Sequence, residues 1–192
     1  DAAGTWWITI SGLDSSKEHA FQYYVGTNDG ETIRLADAYS RKILDPYHDE
    51  YIPASTYPED KTYPEGAIGM VSVFKTVEDT YNWRIPNFEA PDVSNMVIYE
   101  LLLRDFTTSG DINGAMQKLD YLQSLGVNAI ELMPIQEFDG NDSWGYNPAF
   151  FFAMDKAYGT DRMYKEFIDA CHERGMAVIL DVVYNHATGA NP

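Results

Sequence analysis

From residue 97 onward the chain repeats one pattern, an apolar run followed by a stretch of helical spacing. Val97 to Leu103 is almost continuously apolar, broken by Glu100. Ile112, Met116, Leu119, Leu122 and Leu125 follow at the spacing of one helix face, and Gly126 stands where a helix C-cap is wanted. Ala129 to Met133 predicts a second strand. Asp161 to Arg174 predicts a second helix, with Tyr164, Phe167, Ile168 and Cys171 turned inward and Gly175 at its end. Ala177 to Val183 predicts a third strand. The order βαβαβ calls for a parallel sheet with right-handed crossovers. Such a sheet is either open or closed into a barrel. Open nucleotide-binding sheets need a glycine-rich turn after the first strand, and Arg104-Asp105-Phe106-Thr107-Thr108-Ser109-Gly110 lacks that spacing. Polar and aromatic residues gather instead after all three apolar runs, the face at which barrels carry their sites.

The first part of the chain reads as β structure. Trp6 to Ile10, Phe21 to Val25 and Met70 to Phe74 are short runs of aromatic and β-branched residues. Phe21, Tyr23 and Val25 alternate with Gln22 and Tyr24, the pattern of a half-buried strand. Asn28-Asp29-Gly30 predicts a hairpin tip, and the prolines and glycine at Pro53, Pro58, Pro64 and Gly66 predict an irregular loop over 53–66. Pro86 and Pro91 mark 82–95 as a linker.

The sequence carries 30 acidic and 13 basic residues, a formal net charge of -17, and both halves share the excess. A nucleic-acid partner needs a basic surface and is excluded on that ground. With the single cysteine Cys171 the chain can form no internal disulfide and no cysteine-rich metal site. No run is long and apolar enough to span a membrane. The 14 tyrosines and 4 tryptophans suit sugar stacking, but a β-sandwich core uses the same rings.

Asp181-Val182-Val183-Tyr184-Asn185-His186 closes the third apolar run. Alternation sends Asp181 and Val183 to one face and Val182 to the other. A carboxylate on an apolar strand needs a partner. On residue type alone, a structural ion pair accounts for Asp181 as well as a functional role does. The hexapeptide resembles the first conserved region of glycoside hydrolase family 13, the α-amylase family, which reads Asp-Val-Val-x-Asn-His. Three further stretches resemble the same family in the same order. Val97-Ile98-Tyr99-Glu100 through Arg104-Asp105-Phe106 is similar to its first barrel strand. Asp142-Ser143-Trp144-Gly145-Tyr146-Asn147-Pro148 through Tyr158-Gly159-Thr160 is similar to its second βα loop, and Cys171 to Leu180 to the helix and strand that lead into the hexapeptide. Residues 1–80 look like the β-sandwich that precedes the barrel in multidomain members, with Tyr39 to Pro46 matching a late segment of it.

The resemblance therefore implies a partial, immunoglobulin-like β-sandwich followed by an incomplete (β/α)8 TIM barrel. The implied boundaries are a sandwich over 1–81, itself truncated, a linker over 82–95 and the first part of the barrel over 96–192. It also implies roles. His186 would hydrogen-bond the sugar beside the scissile bond, and Tyr146 would stack beneath that ring. Asp181 would hold the framework by pairing with an arginine from a later strand, and Trp144 would contact sugar or pack. Asn185 matches a calcium-ligating position, although one amide oxygen does not make a site for a hard cation; no cofactor is otherwise required. Retaining glycosidases need two carboxyl groups about 5 Å apart. The family draws them from the fourth and fifth strands, with a further aspartate after the seventh. No residue here matches them, and Glu131 and Glu137 carry no catalytic role by the family pattern. The expected function is that of an α-glucan-acting, α-amylase-like retaining hydrolase of starch- or glycogen-type polysaccharide, the isolated chain being inactive. The alternatives are a pullulanase-type debranching or glucan branching enzyme, or a non-catalytic carbohydrate-binding fragment. The expected location is extracellular or cell-surface rather than cytoplasmic. The open barrel edges are expected to drive self-association.

Overall fold

The computed structural model describes residues 4–192. Its first part holds strands β1 (Glu18–Phe21), β2 (Tyr23–Gly26), β3 (Thr32–Leu35), β4 (Lys42–Leu44) and β5 (Val71–Lys75). β5 is the centre of an antiparallel sheet in the order β1-β5-β4, with Ala20 and Lys42 both opposite Val73. β2 and β3 form a separate hairpin that turns at Asn28-Asp29-Gly30 as predicted, with Gly30 at φ 88°. The expected strand at Trp6 to Ile10 is absent. That segment pairs with no other strand, and Trp6 is 96% exposed, so its aromatic and β-branched composition has no surface to pack on. The expected strand Phe21 to Val25 is cut at Gln22. The Gln22 amide donates to the carbonyls of Ile68 and Met70 at 2.7 and 2.8 Å, and Tyr23, Tyr24 and Val25 beyond it are all exposed rather than alternating. The loop over 53–66 is irregular, as its prolines require.

The second part holds β6 (Ile98–Leu101), β7 (Ala129–Leu132) and β10 (Ala177–Leu180), all parallel, in the order β6-β7-β10. Ile98, Ala129 and Ala177 lie in register, as do Leu101, Leu132 and Leu180. Spatial order follows chain order, as in a barrel, whereas an open doubly wound sheet reverses at a switch point. The connections carry helices α1 (Leu103–Phe106), α2 (Ile112–Met116), α3 (Leu119–Ser124) and α4 (Asp161–His172). Alternation sends Tyr99, Leu101, Ile130, Leu132 and Val178 into a core with Ile112, Leu119, Leu122, Phe167 and Cys171. Each fully buried Leu, Ile or Phe contributes about 1.5–3 kcal/mol. The opposite face carries Ile98, Glu100, Glu131 and Ile179, and none of these joins that core.

The structure amends several expectations here. The predicted first helix breaks into α2 and α3 at Gln117 and Lys118, where Lys118 N bonds back three residues to Ala115 O at 2.9 Å, and Leu125 is exposed. The third strand ends at Leu180 instead of Val183, although Asp181 N still donates to Leu132 O at 3.0 Å. An antiparallel hairpin of β8 (Gln136–Phe138) and β9 (Pro148–Met154) interrupts the second βα connection; of its two strands only β9, an unbroken apolar run, carries a sequence signal. The linker is not loose. The fully buried Asp169 of α4 accepts from the hydroxyl of Tyr81 at 2.7 Å and from the backbone N–H groups of Arg84 and Ile85, while Phe88 stacks on His172 with ring centroids 3.8 Å apart. A small core of Ala36, Ile43, Ala149, Phe150 and Ala153 joins the antiparallel sheet to β9.

Candidate active-site face of the parallel sheet

The segment after β10 continues the strand alternation. Asp181 therefore falls on the same face as Glu100 and Glu131, the face turned away from the helices. Glu100 and Glu131 are direct neighbours in the register. Three carboxylates thus share the C-terminal part of one exposed sheet face.

Tyr146 reaches this face from the tip of the β8–β9 hairpin. Its hydroxyl donates to Asp181 Oδ2 at 2.5 Å. That bond, with partial burial and the negative charges of Asp181, Glu100 and Glu131, pushes the Tyr146 hydroxyl up to about 12. The phenol therefore stays neutral and remains a donor at any ordinary pH. Backbone geometry fixes the ring. Gly145 has φ 87°, and a Cβ there would lie 2.4 Å from the carbonyl oxygen of Pro134, so only glycine fits. Ser143 Oγ bonds Asn147 Oδ1 and accepts from Gly145 N at 3.0 Å, while Asn147 Nδ2 donates to Asp139 O at 2.9 Å. The tip is closed by its own polar side chains.

His186 lies beside Tyr146. Its Nε2 stands 2.9 Å from the Tyr146 carbonyl oxygen and its Nδ1 3.1 Å from Asn185 Oδ1. Both ring nitrogens thus have a neighbour within hydrogen-bonding distance, which fixes the plane of the imidazole. The following segment is pinned to β9, with Thr188 N donating to Pro148 O at 3.0 Å and Asn191 Nδ2 to Ala149 O at 2.6 Å.

Sequence reading marked Tyr146, Asp181, His186, Trp144 and Asn185. The structure gathers Tyr146, Asp181, Asn185 and His186 into one hydrogen-bonded group; Trp144 is exposed on the same hairpin tip. Asp181 has Tyr146 as its partner among the described residues, and the guanidinium of Arg104, at the end of the first strand, is taken by Asp105 at 2.8 Å and Asp142 at 2.5 Å. Among the described residues no group of three or more histidine, cysteine or acidic side chains is placed to hold a metal, and the Asn185 carbonyl oxygen faces His186. A cleft of about 340 Å³ lies elsewhere, between the antiparallel sheet and α4, and Tyr146, Asp181 and His186 take no part in it.

The decisive comparison is with the alpha-amylase catalytic domain, whose family model matches residues 70–191. The chain belongs to the alpha-amylase family. This is a family of glycoside hydrolases, and the three parallel strands with their helices are part of its (β/α)8 barrel. The chain is 37% identical over 156 residues to a malto-oligosyltrehalose trehalohydrolase of Saccharolobus solfataricus, an alignment covering 81% of this chain and 26% of that protein. It is 28% identical to Pullulanase A of Streptococcus pneumoniae, covering 95% of this chain and 17% of that one. The crystal structure of the Group B Streptococcus pullulanase SAP superposes with a TM-score of 0.62 at 26% identity, covering 88% of this chain and 25% of that chain. The chain thus spans about a quarter or less of the length of these relatives.

Proposed function

We propose that the complete protein is a retaining α-glucan hydrolase and that this chain supplies one wall of its active site. The observation that carries the reading is the group formed by Tyr146, Asp181 and His186 on the carboxylate-bearing sheet face. In this reading the Tyr146 ring is a platform for one sugar, and the His186 imidazole exchanges its Nε2 contact with the Tyr146 carbonyl for a hydroxyl of that sugar. Asp181 fixes the platform through the Tyr146 hydroxyl. An aromatic face binds the C–H side of a pyranose, and a contact that strengthens as the ring distorts toward an oxocarbenium-like state accelerates the reaction. The antiparallel strands β1 to β5 are read as part of an immunoglobulin-like sandwich over 1–81, joined through 82–95 to the barrel portion over 96–192.

Two finer readings have specific support. The trehalohydrolase relative favours a substrate with a trehalose end, and the two pullulanases favour debranching. Product analysis of the complete enzyme on amylose, pullulan and a malto-oligosyltrehalose separates them. Maltotriose from pullulan supports debranching, free trehalose supports the first relative's chemistry, and malto-oligosaccharides from amylose support α-amylase-like action. No product from any of the three would refute the glucan-hydrolase reading.

A further inference from the structure

The most unusual chemistry in the molecule lies away from the carboxylate face. Lys156, just after β9, is 2% exposed and paired with two carboxylates. Its ammonium bonds Glu137 Oε1 of β8 and lies 3.3 Å from Asp49 Oδ1. Asp155 is also buried and accepts from the N–H groups of Phe138 and Ala157 at 3.1 and 2.8 Å. Glu137 Oε2 is buried with no hydrogen-bond partner, so Lys156 is the one group that holds that carboxylate. Burying three acids around one lysine is unfavourable unless the geometry does something else.

The positions of these residues suggest what that is. Glu137 and Lys156 stand at the base of the β8–β9 hairpin, whose tip carries Tyr146. Asp49 belongs to a single helical turn, Asp49–Tyr51, in the first part of the chain. The same segment also reaches the tip, because Asn141 Nδ2 donates to the His48 carbonyl oxygen at 2.8 Å. The segment is itself folded tightly, with Asp45 N donating to Asp49 Oδ2 at 3.0 Å and His48 Nδ1 standing 2.7 Å from Asp45 Oδ2. Residues 45–51 therefore grip the hairpin twice, at its base through Asp49 and Lys156 and at its tip through His48 and Asn141.

We infer that Lys156 and Asp49, assisted by Asn141, are positioning residues that use the 45–51 turn as a brace to hold the Tyr146-bearing loop against the sheet. The inference rests on the sugar-platform reading of Tyr146 only for its catalytic consequence; the mechanical part stands on the contacts alone. Arg104 and Asp181 also hold the tip, through Asp142 and Tyr146, so the brace adds a tie from the opposite side, and a platform that shifts by about 1 Å loses much of its rate advantage.

Asp49→Asn is the discriminating variant. Each Asp49 oxygen faces a donor, Lys156 Nζ on one side and Asp45 N on the other, so an amide satisfies only one of them. Lys156 stays paired with Glu137, so the variant is expected to fold. Asn141→Ala cuts the second tie without touching a buried charge. Lys156→Met strands Glu137 and is expected to fold poorly, so it is not the test. Amide hydrogen exchange on the complete enzyme should show residues 139–147 exchanging at least 10-fold faster in either variant, with β7 and α4 unchanged. In the complete enzyme both variants should lower kcat with little change in KM. Unchanged protection of 139–147 in a folded variant overturns the brace. So does a uniform loss of protection across the chain, which is the mark of a merely structural role. If the loop loosens but Tyr146→Ala leaves activity intact, the brace stands and the platform reading falls.

Discussion

Tyr146 is the residue at which two physical roles meet. Its ring is free to stack, and its hydroxyl is committed to Asp181 at 2.5 Å. Replacing it by alanine removes both functions and should lower kcat/KM of the complete enzyme by about two orders of magnitude, the scale at which lost positioning acts. Tyr146→Phe keeps the ring but leaves Asp181 without its donor. A neutral–charged hydrogen bond of this kind contributes roughly 1.5–3 kcal/mol, so Phe should fall clearly between wild type and Ala in steady-state kinetics. Equal activity of Phe and wild type would show that the Asp181 bond is idle. The sequence resemblance implies only the stacking role of the ring. The Asp181 bond was not legible, because it joins positions 35 residues apart that only the barrel winding brings together. Gly145 was quoted within a motif, but the reason for it appears only in the fold. A Cβ would strike the Pro134 carbonyl, and φ is positive. Gly145→Ala should destabilise the chain by roughly 1–3 kcal/mol, the range for a strained backbone site, as read from urea denaturation. It should also reduce activity, since the residue that moves is next to Tyr146.

Among the elements, the parallel strands and α4 were the most legible, and the connections between them the least. β6, β7, α4 and β10 follow from period and caps: Thr160 accepts from Met163 N at 3.3 Å as an N-cap, and Gly175 takes φ 71° beyond the helix end. The β8–β9 hairpin escaped because its first strand has three residues, too few for a periodic signal, and two of them, Gln136 and Glu137, are polar, so the apolar run of β9 has no evident partner. The Trp6 to Ile10 run shows the opposite failure, for strand composition without a neighbouring ladder makes no strand. The linker was legible as irregular but not as anchored. Asp169 holds it by accepting from three donors on two oxygens, the Arg84 N–H being shared between both, at 2.7 to 3.4 Å. Asp169→Asn turns an amide nitrogen toward at least one of these donors and should cost roughly 1–3 kcal/mol. Limited proteolysis should then cut 82–88 faster than in wild type; equal cleavage would mean that the anchor lies elsewhere. His172 adds a pH dependence to the same contact. Burial holds its pKa below the ordinary value, with Asp169 opposing. The unfolded chain therefore binds this proton more readily than the folded one. The associated stability is complete above about 6.5 and is lost as pH falls through the lowered folded value. The melting temperature of wild type relative to His172→Phe should accordingly drop between pH 7 and pH 5, and a constant difference would remove His172 from the account.

At the scale of the whole molecule, the sheet β6-β7-β10 has strong reasons to associate and the surface has one strong reason not to. Among the described residues neither β6 nor β10 has a strand on its outer side, so each presents a row of unpaired N–H and C=O groups. The face that a closed barrel would fill carries half-exposed Ile98, with Val97 and Leu180 exposed at the sheet's ends. Flat apolar edges pair with other chains, and two copies could satisfy each other edge to edge. Against this stands the formal net charge of -17, which repels like copies at long range. The edge attraction is short-ranged and insensitive to salt, whereas the repulsion is screened beyond about 8–10 Å at 0.1–0.15 M ionic strength. Association of the 192-residue chain should therefore be weak in dilute buffer and should grow as salt is added. Sedimentation velocity at 10 mM and 500 mM sodium chloride measures this directly. A monomer at both, at tens of micromolar protein, would show that the edges are protected in a way the strand order does not reveal. The same samples should release no reducing sugar from starch. The carboxylates on the exposed face are Glu100, Glu131 and Asp181, and the last is already engaged by Tyr146. Glu100 and Glu131 sit side by side in one register, where a retaining pair must instead flank the scissile bond from opposite sides. Hydrolysis by this chain that is abolished by Glu100→Gln or Glu131→Gln would overturn that argument and place the chemistry on the strands already present.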